Sequence, residues 1–142
     1  MNVKSALKLK NKILSDIKAQ HQILHKYNSI EEGNVRKYSM NETLNKLKNL
    51  TKDLVELKTK IHLANKPVYH LIFELAELKG MIKELRKVPT DEGKITERYG
   101  SVQTIKTVEL DVIAMESIIE GLQASIDEIQ SELDLHNSVT EI

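Results

Sequence analysis

LTKDLVELKTKIHLANKPV, Leu50–Val68, is the stretch whose reading decides the fold. Leu50, Leu54, Leu57, Ile61 and Ala64 recur in alternating steps of three and four. That rhythm places them on one face of an α-helix, with polar residues around the rest of each turn. The pattern stops at Asn65-Lys66-Pro67. Pro67 has no N–H to give the helix ladder and disfavours helical backbone at Lys66, yet it suits the first turn of a new helix. Shifted by 72 positions the segment recurs as LQASIDEIQSELDLHNSVT, Leu122–Thr140. Leu50, Leu54, Leu57, Ile61, Leu63 and Asn65 then fall on Leu122, Ile126, Ile129, Leu133, Leu135 and Asn137.

Working outward, the same periodicity predicts four helices. The first covers about Val3 to Tyr27, with Val3, Leu7, Leu14, Ile17 and Leu24 on one face and Lys10 and His21 in the same stripe. A turn follows at Glu32-Gly33-Asn34, and Ser39 with Glu42 forms a capping box that opens the second helix. Its seam is Leu47, Leu50, Leu54, Leu57, Ile61 and Ala64. The third helix is expected from about Pro67 to Lys87, through Val68, Leu71, Leu75, Leu78, Ile82 and Leu85. Pro89, Gly93 and Gly100 then break the chain, with a short extended piece expected at Ile95 to Tyr99. The fourth helix is expected from about Ile105 to His136, its seam running from Ile105, Val108 and Val112 through Met115 and Ile119 to Leu133.

The loops repeat as well. EEGNVRKYS (31–39) and DEGKITERYGS (91–101) share acid-Glu-Gly, a β-branched residue, Arg, Tyr and Ser. SALKLKNKI (5–13) also echoes ELAELKGMI (74–82). The expected architecture is therefore all-α: one domain over 1–142 built from two helix–loop–helix hairpins, 1–65 and 66–142, related by duplication. The order of ALKLKNKIL, KIHLAN, ELAELKGMI, an RY loop and ELDLHNSVTEI resembles the septicolysin-like family of small helical bacterial and phage proteins. The resemblance spans almost the whole chain. It departs at Val68, where that pattern has Thr, and in a shorter linker before the third helix. It implies an α-helical fold and carries no catalytic motif.

Composition narrows the class. Of 142 residues, 40% are apolar, 30% charged and 4% aromatic, with two Pro and no Trp, which suits helices packed through aliphatic seams. Absence of Cys excludes disulfides and thiolate metal sites. Lys4, Lys8, Lys10 and Lys12 interrupt any signal-like apolar run, and no stretch approaches the ~20 apolar residues of a membrane span. The expectation is a soluble, cytoplasmic protein with no membrane partner. Net charge is zero, but residues 1–30 carry +5, 31–106 carry +4 and 107–142 carry −9 with no Lys or Arg. The reading adopted is that the basic first helix lies beside the acidic last one, so a nucleic-acid partner is not expected.

No phosphate loop, nucleophile elbow, dinucleotide fingerprint or zinc signature occurs, and a non-enzymatic protein without a cofactor is expected. His21 and His25 have the i, i+4 spacing of a helical metal pair but lack a carboxylate companion, so no metal site is assigned. Arginine is the selective feature: among 21 Lys and Arg only Arg36, Arg86 and Arg98 are Arg. Two stand in the equivalent loops beside tyrosines, Arg36 with Tyr38 and Arg98 with Tyr99. A guanidinium grips phosphate or carboxylate through two bonds and a Tyr offers a stacking face, which suggests capture of a small anionic, nucleotide-like ligand by a homo-oligomer. The plainer reading pairs each Arg with Glu32, Glu97 or a subunit contact. His62, Asn65, His136 and Asn137 form a second polar set at helix ends, where Asn usually caps. The alternative function is a purely structural or protein-interaction module without a small ligand.

Overall fold

Residues 1–96 and 103–142 are described by a computed structural model of the chain. Helix α1 spans Val3–Tyr27, α2 Met40–Ala64, α3 Tyr69–Leu85 and α4 Val112–Val139. A single 3₁₀ turn, Lys66–Val68, precedes α3, and strands β1 (Gly93–Thr96) and β2 (Gln103–Lys106) lie between α3 and α4. Helices pair as α1 with α2 and α3 with α4, the expected all-α hairpin arrangement. By contacts the chain divides into two units, Met1–Val68 with Leu135–Ile142, and Tyr69–Asp134.

The first unit is built on a heptad seam. On α2 the inward positions are Thr43, Leu47, Leu50, Leu54, Leu57, Ile61 and Ala64, the predicted set with Thr43 added. On α1 they are Val3, Ala6, Lys10, Ile13, Ile17, Gln20 and Leu24. Ala6, Ile13, Leu57 and Ile61 form the buried cluster, and Leu7, Ile17, Leu50, Leu54 and Ile142 pack around it. Two expectations for α1 are corrected: Leu14 and His21 are exposed, and Gln20 takes the seam position. Lys10 does lie in the seam, half-buried. Its methylenes suit such a position while the ammonium reaches water.

Capping fixes the helix ends. The Ser39 side chain accepts from the Glu42 backbone N–H at 3.3 Å, the half of the capping box that opens α2. Asn2 caps α1 by accepting from Ser5 N–H at 2.9 Å. Its Nδ2 also donates to the Ser138 carbonyl at 3.0 Å. Beside it Val3 N–H donates to Thr140 O (2.9 Å) and Ile142 N–H to Met1 O (3.0 Å). The tail thus closes over Val3, which is fully buried, and Ile142 reaches the core cluster. Replacing Asn2 with Ala should cost about 1 kcal/mol, measured by urea unfolding, because both the cap and the link to Ser138 are lost.

In the second unit α3 turns inward Leu71, Leu75, Leu78, Ile82 and Leu85, as predicted, and α4 turns inward Met115, Ile119, Leu122, Ile126, Ile129 and Leu133. Both ends of each helix are corrected. Lys66–Val68 forms a 3₁₀ turn, so α3 proper starts at Tyr69 and ends at Leu85. α4 starts at Val112, where Asp111 accepts from the Ala114 N–H at 2.8 Å, and not at Ile105. Ile105 is instead in β2, opposite Lys94, and 73% exposed. Strand β1, Gly93–Thr96, is entered through Gly93 at φ +88° and pairs antiparallel with Gln103–Lys106, while residues 97–99 of the expected extended piece lie outside the described residues. α4 also runs past Asn137 to Val139, so Asn137 is a helical residue and not a terminal cap.

Candidate functional site

The first Arg–Tyr loop is built by the ends of two helices. α1 stops at Tyr27 with Asn28 as its cap, and α2 opens at Ser39. Between them Gly33 takes φ +89°, the left-handed region in which a side chain would be strained. The chain then brings Arg36 back to the end of α1. Its Nε donates to Tyr27 O at 3.0 Å and its Nη2 to Asn28 O at 2.8 Å. Among the described residues neither Glu32 nor another acid pairs with it. The guanidinium satisfies carbonyls that a helix terminus leaves without intrahelical partners, and its charge favours the negative end of the helix dipole. Tyr38 packs on Tyr27, ring centroids 5.3 Å apart and tilted by 56°. Lys26 Nζ stands 5.3 Å from the Tyr27 centroid on the same helix. Asn28, Arg36, Lys37, Tyr38, Ser39 and Asn41 border an open groove of about 570 Å³.

The second Arg–Tyr pair, Arg98 with Tyr99, lies outside the described residues. The flanking backbone nevertheless separates the two loops. A β-hairpin, β1 with β2, stands in the loop that was matched to 31–39, whereas 31–39 contains no strand.

The polar set at the helix ends is partly brought together. Asn65 caps α2 with right-handed backbone, φ −86° and ψ −5°, so the left-handed cap does not form. His136, in the last turn of α4, lies with its Nε2 3.2 Å from Asn65 Oδ1 and its Nδ1 3.1 Å from Thr140 Oγ1. An amide oxygen only accepts, so with this orientation Nε2 carries the hydrogen and Nδ1 accepts from the Thr140 hydroxyl. Both ring nitrogens are thereby used in joining the end of α2 to the tail. His62 is exposed, and Asn137 is half-buried. Among the described residues, no group of three or more His, Cys, Asp or Glu could hold a metal ion. No helix among them is long and apolar enough to cross a membrane.

No protein family, curated protein or solved structure matches this chain. The site must be read from its own geometry.

Two features escaped sequence reasoning. On the α1–α2 hairpin an open groove of about 400 Å³ is lined by the apolar Leu9, Ile13 and Leu57 and the charged Asp53, Glu56 and Lys60. Leu57 was legible there as a seam residue, but Leu9 and Ile13 were outside the predicted stripe of α1, and which residues flank the seam depends on how the helices lie. The other feature is aromatic. Phe73, the single Phe of the chain, is 64% exposed and stacks on Tyr69 at 5.9 Å with an interplanar angle of 19°. At 100° per residue, Tyr69, Phe73, Ala76 and Gly80 share the α3 face opposite its Leu71–Leu85 seam. The i, i+4 spacing of two aromatics was the available signal.

Proposed function

We propose that the chain is a non-enzymatic helical assembly module whose copies associate through the outer faces of their helices. Phe73, exposed and stacked on the half-buried Tyr69, carries this reading. A large aromatic left in water on the face opposite a filled seam is the kind of side chain that centres a protein interface. Ile113 near the start of α4, 77% exposed, adds a second large apolar side chain in the same unit. Arg36 supports the reading from the other direction, since two of its donors are committed to the end of α1.

The test is sedimentation equilibrium with native mass spectrometry, which report subunit number and retained small molecules together. The expected result is a ligand-free oligomer. Phe73→Ser should weaken association by roughly tenfold or more, while changing the stability of the separated chain by no more than ~0.5 kcal/mol. A monomer carrying a bound small molecule would refute the module.

Capture of a small anion is a second reading, favoured by the remaining N–H groups of Arg36 and by Lys37 at the 570 Å³ groove. Stabilisation by a member of a nucleotide panel, absent in Arg36→Lys, would support it over the first. Cytoplasmic location and membership of the septicolysin-like family belong to the same proposal and rest on the sequence reading alone.

A further inference from the structure

Charge is divided between the two units as sharply as the fold is. Residues 1–68 with 135–142 hold 14 Lys and Arg against seven Asp and Glu, a net +7. Residues 69–134 hold the reverse, seven against 14, a net −7. Neither excess is neutralised by ion pairs within its own unit. Among the described residues the ion pairs are the Met1 ammonium with Glu141 and Lys87 with Glu84. Lys4, Lys8, Lys12, Lys18 and Lys26 of α1 are exposed and form none. Glu116, Glu120, Asp127 and Asp134 of α4 are equally exposed and equally without a cation.

Each set is also ordered on its helix. At 100° per residue, Glu116, Glu120, Asp127 and Asp134 fall within ~40° around α4, away from its buried seam. Gln123 donates to Asp127 and Gln130 to Asp134, both at 3.0 Å, which fixes two of the carboxylates in place. Lys4, Lys8 and Lys12 follow one another at successive turns of α1, within ~80°, on the side turned from Ala6 and Ile13. Two helix faces of opposite sign, each with charges repeating at near-turn intervals and each without an ion-pair partner in its own unit, are complementary surfaces.

We infer that a second copy of this chain docks there, the α1 lysine face of one copy lying along the α4 carboxylate face of the other. The inference rests on the assembly reading and names its partner and register-setting charges. Because a chain with both faces can give and receive, the contact is reciprocal in a closed dimer and propagates in an open chain. Exposed charge pairs are individually weak and screened by salt, so the contact selects the partner and its orientation more than it sets affinity.

The experiment uses the full chain. Two variants reverse one face each: Lys4→Glu with Lys8→Glu and Lys12→Glu, and Glu116→Lys with Glu120→Lys and Asp127→Lys. Circular dichroism confirms helicity, and sedimentation equilibrium measures association at about 50 and 500 mM salt, where the Debye length falls severalfold. The expected result is a wild-type assembly whose Kd rises by about tenfold or more with salt, and a similar loss in each variant at low salt. Mixing the two variants should restore association between them, and a chain carrying both reversals should associate with itself. That last variant separates lost docking from lost folding. An assembly indifferent to salt and to both reversals, yet weakened by Phe73→Ser, overturns the charged contact and leaves the assembly reading standing. A wild-type chain that stays monomeric to ~100 μM overturns both, as does one whose α1 lysines bind anionic vesicles or nucleic acid in place of a second copy.

Discussion

Replacing Ile61 with Ala should destabilise the first unit by about 2–4 kcal/mol, read as a shift in the urea midpoint followed by far-ultraviolet circular dichroism. Ile61 is 8% exposed and belongs to the buried cluster with Ala6, Ile13 and Leu57. The cluster is small, and one of its members is Ala6, whose single methyl has no rotamer that could move into the space. Removal of Ile61 methyl and methylene groups therefore leaves a void as well as exposing apolar surface. Ala6 has an instructive place here. It is fully buried, so the two helices approach closely at that level, and a larger residue at position 6 would force them apart. The control is on the same helix: Val55 is 59% exposed, and Val55→Ala should change stability by ~0.5 kcal/mol or less. Equal effects at the two positions would show that the heptad seam does not hold α1 on α2. Hydrogen exchange adds a second check, since Ile61→Ala should accelerate exchange at the α1 and α2 amides before those around Ile82 and Ile126.

The bounds of α2 were legible because every local signal agrees there. Ser39 caps, the Leu–Ile seam keeps its rhythm over six positions from Leu47 to Ala64, and Asn65-Lys66-Pro67 stops it. The first helix was bounded as well, yet its inward face was misplaced. Leu14 and His21 sit seven apart, one heptad, and continue a plausible stripe from Leu7. The actual seam passes through Lys10 and Gln20, two half-buried polar residues whose aliphatic stems suit such positions. The start of α4 failed for a related reason. Ile105, Val108 and Val112 happen to be in phase with Met115, so periodicity continues smoothly into a segment that is a strand and a loop. What decides the boundary is Asp111 as a cap and the pairing of 103–106 with 93–96, and pairing is a non-local property.

The candidate site was legible as a set of residues and not as an arrangement. Asn65 and His136 were both marked as helix-end polar groups, but 71 positions separate them and only the fold brings the amide oxygen to the ring. Arg36 and Tyr38 were marked as ligand groups because a fork of donors beside an aromatic ring has that chemistry. Sequence gives no sign that two backbone carbonyls, eight and nine residues earlier, compete for the same donors.

That competition yields the second large effect. Arg36→Ala should destabilise the protein without any ligand present, by about 1–2 kcal/mol, or roughly 4 °C in Tm for a chain of this size. Two hydrogen bonds from a cation to helix-terminal carbonyls are lost, and with them a positive charge at the negative end of α1. The carbonyls are exposed and recover water, which keeps the loss below that of a buried unsatisfied group. Arg36→Lys restores the charge and one bond but cannot span Tyr27 and Asn28 together, so it should recover about half of the loss. Tyr38→Phe keeps the ring against Tyr27 and should stay within ~0.5 kcal/mol of wild type. A pure anion site gives the opposite pattern. There Arg36→Ala removes a mutually unopposed positive charge from the empty groove beside Lys37, leaves ligand-free Tm unchanged or raises it, and abolishes stabilisation by phosphate compounds. Thermal melts of the three variants with and without added nucleotide therefore separate a guanidinium that locks a helix end from one that waits for a ligand.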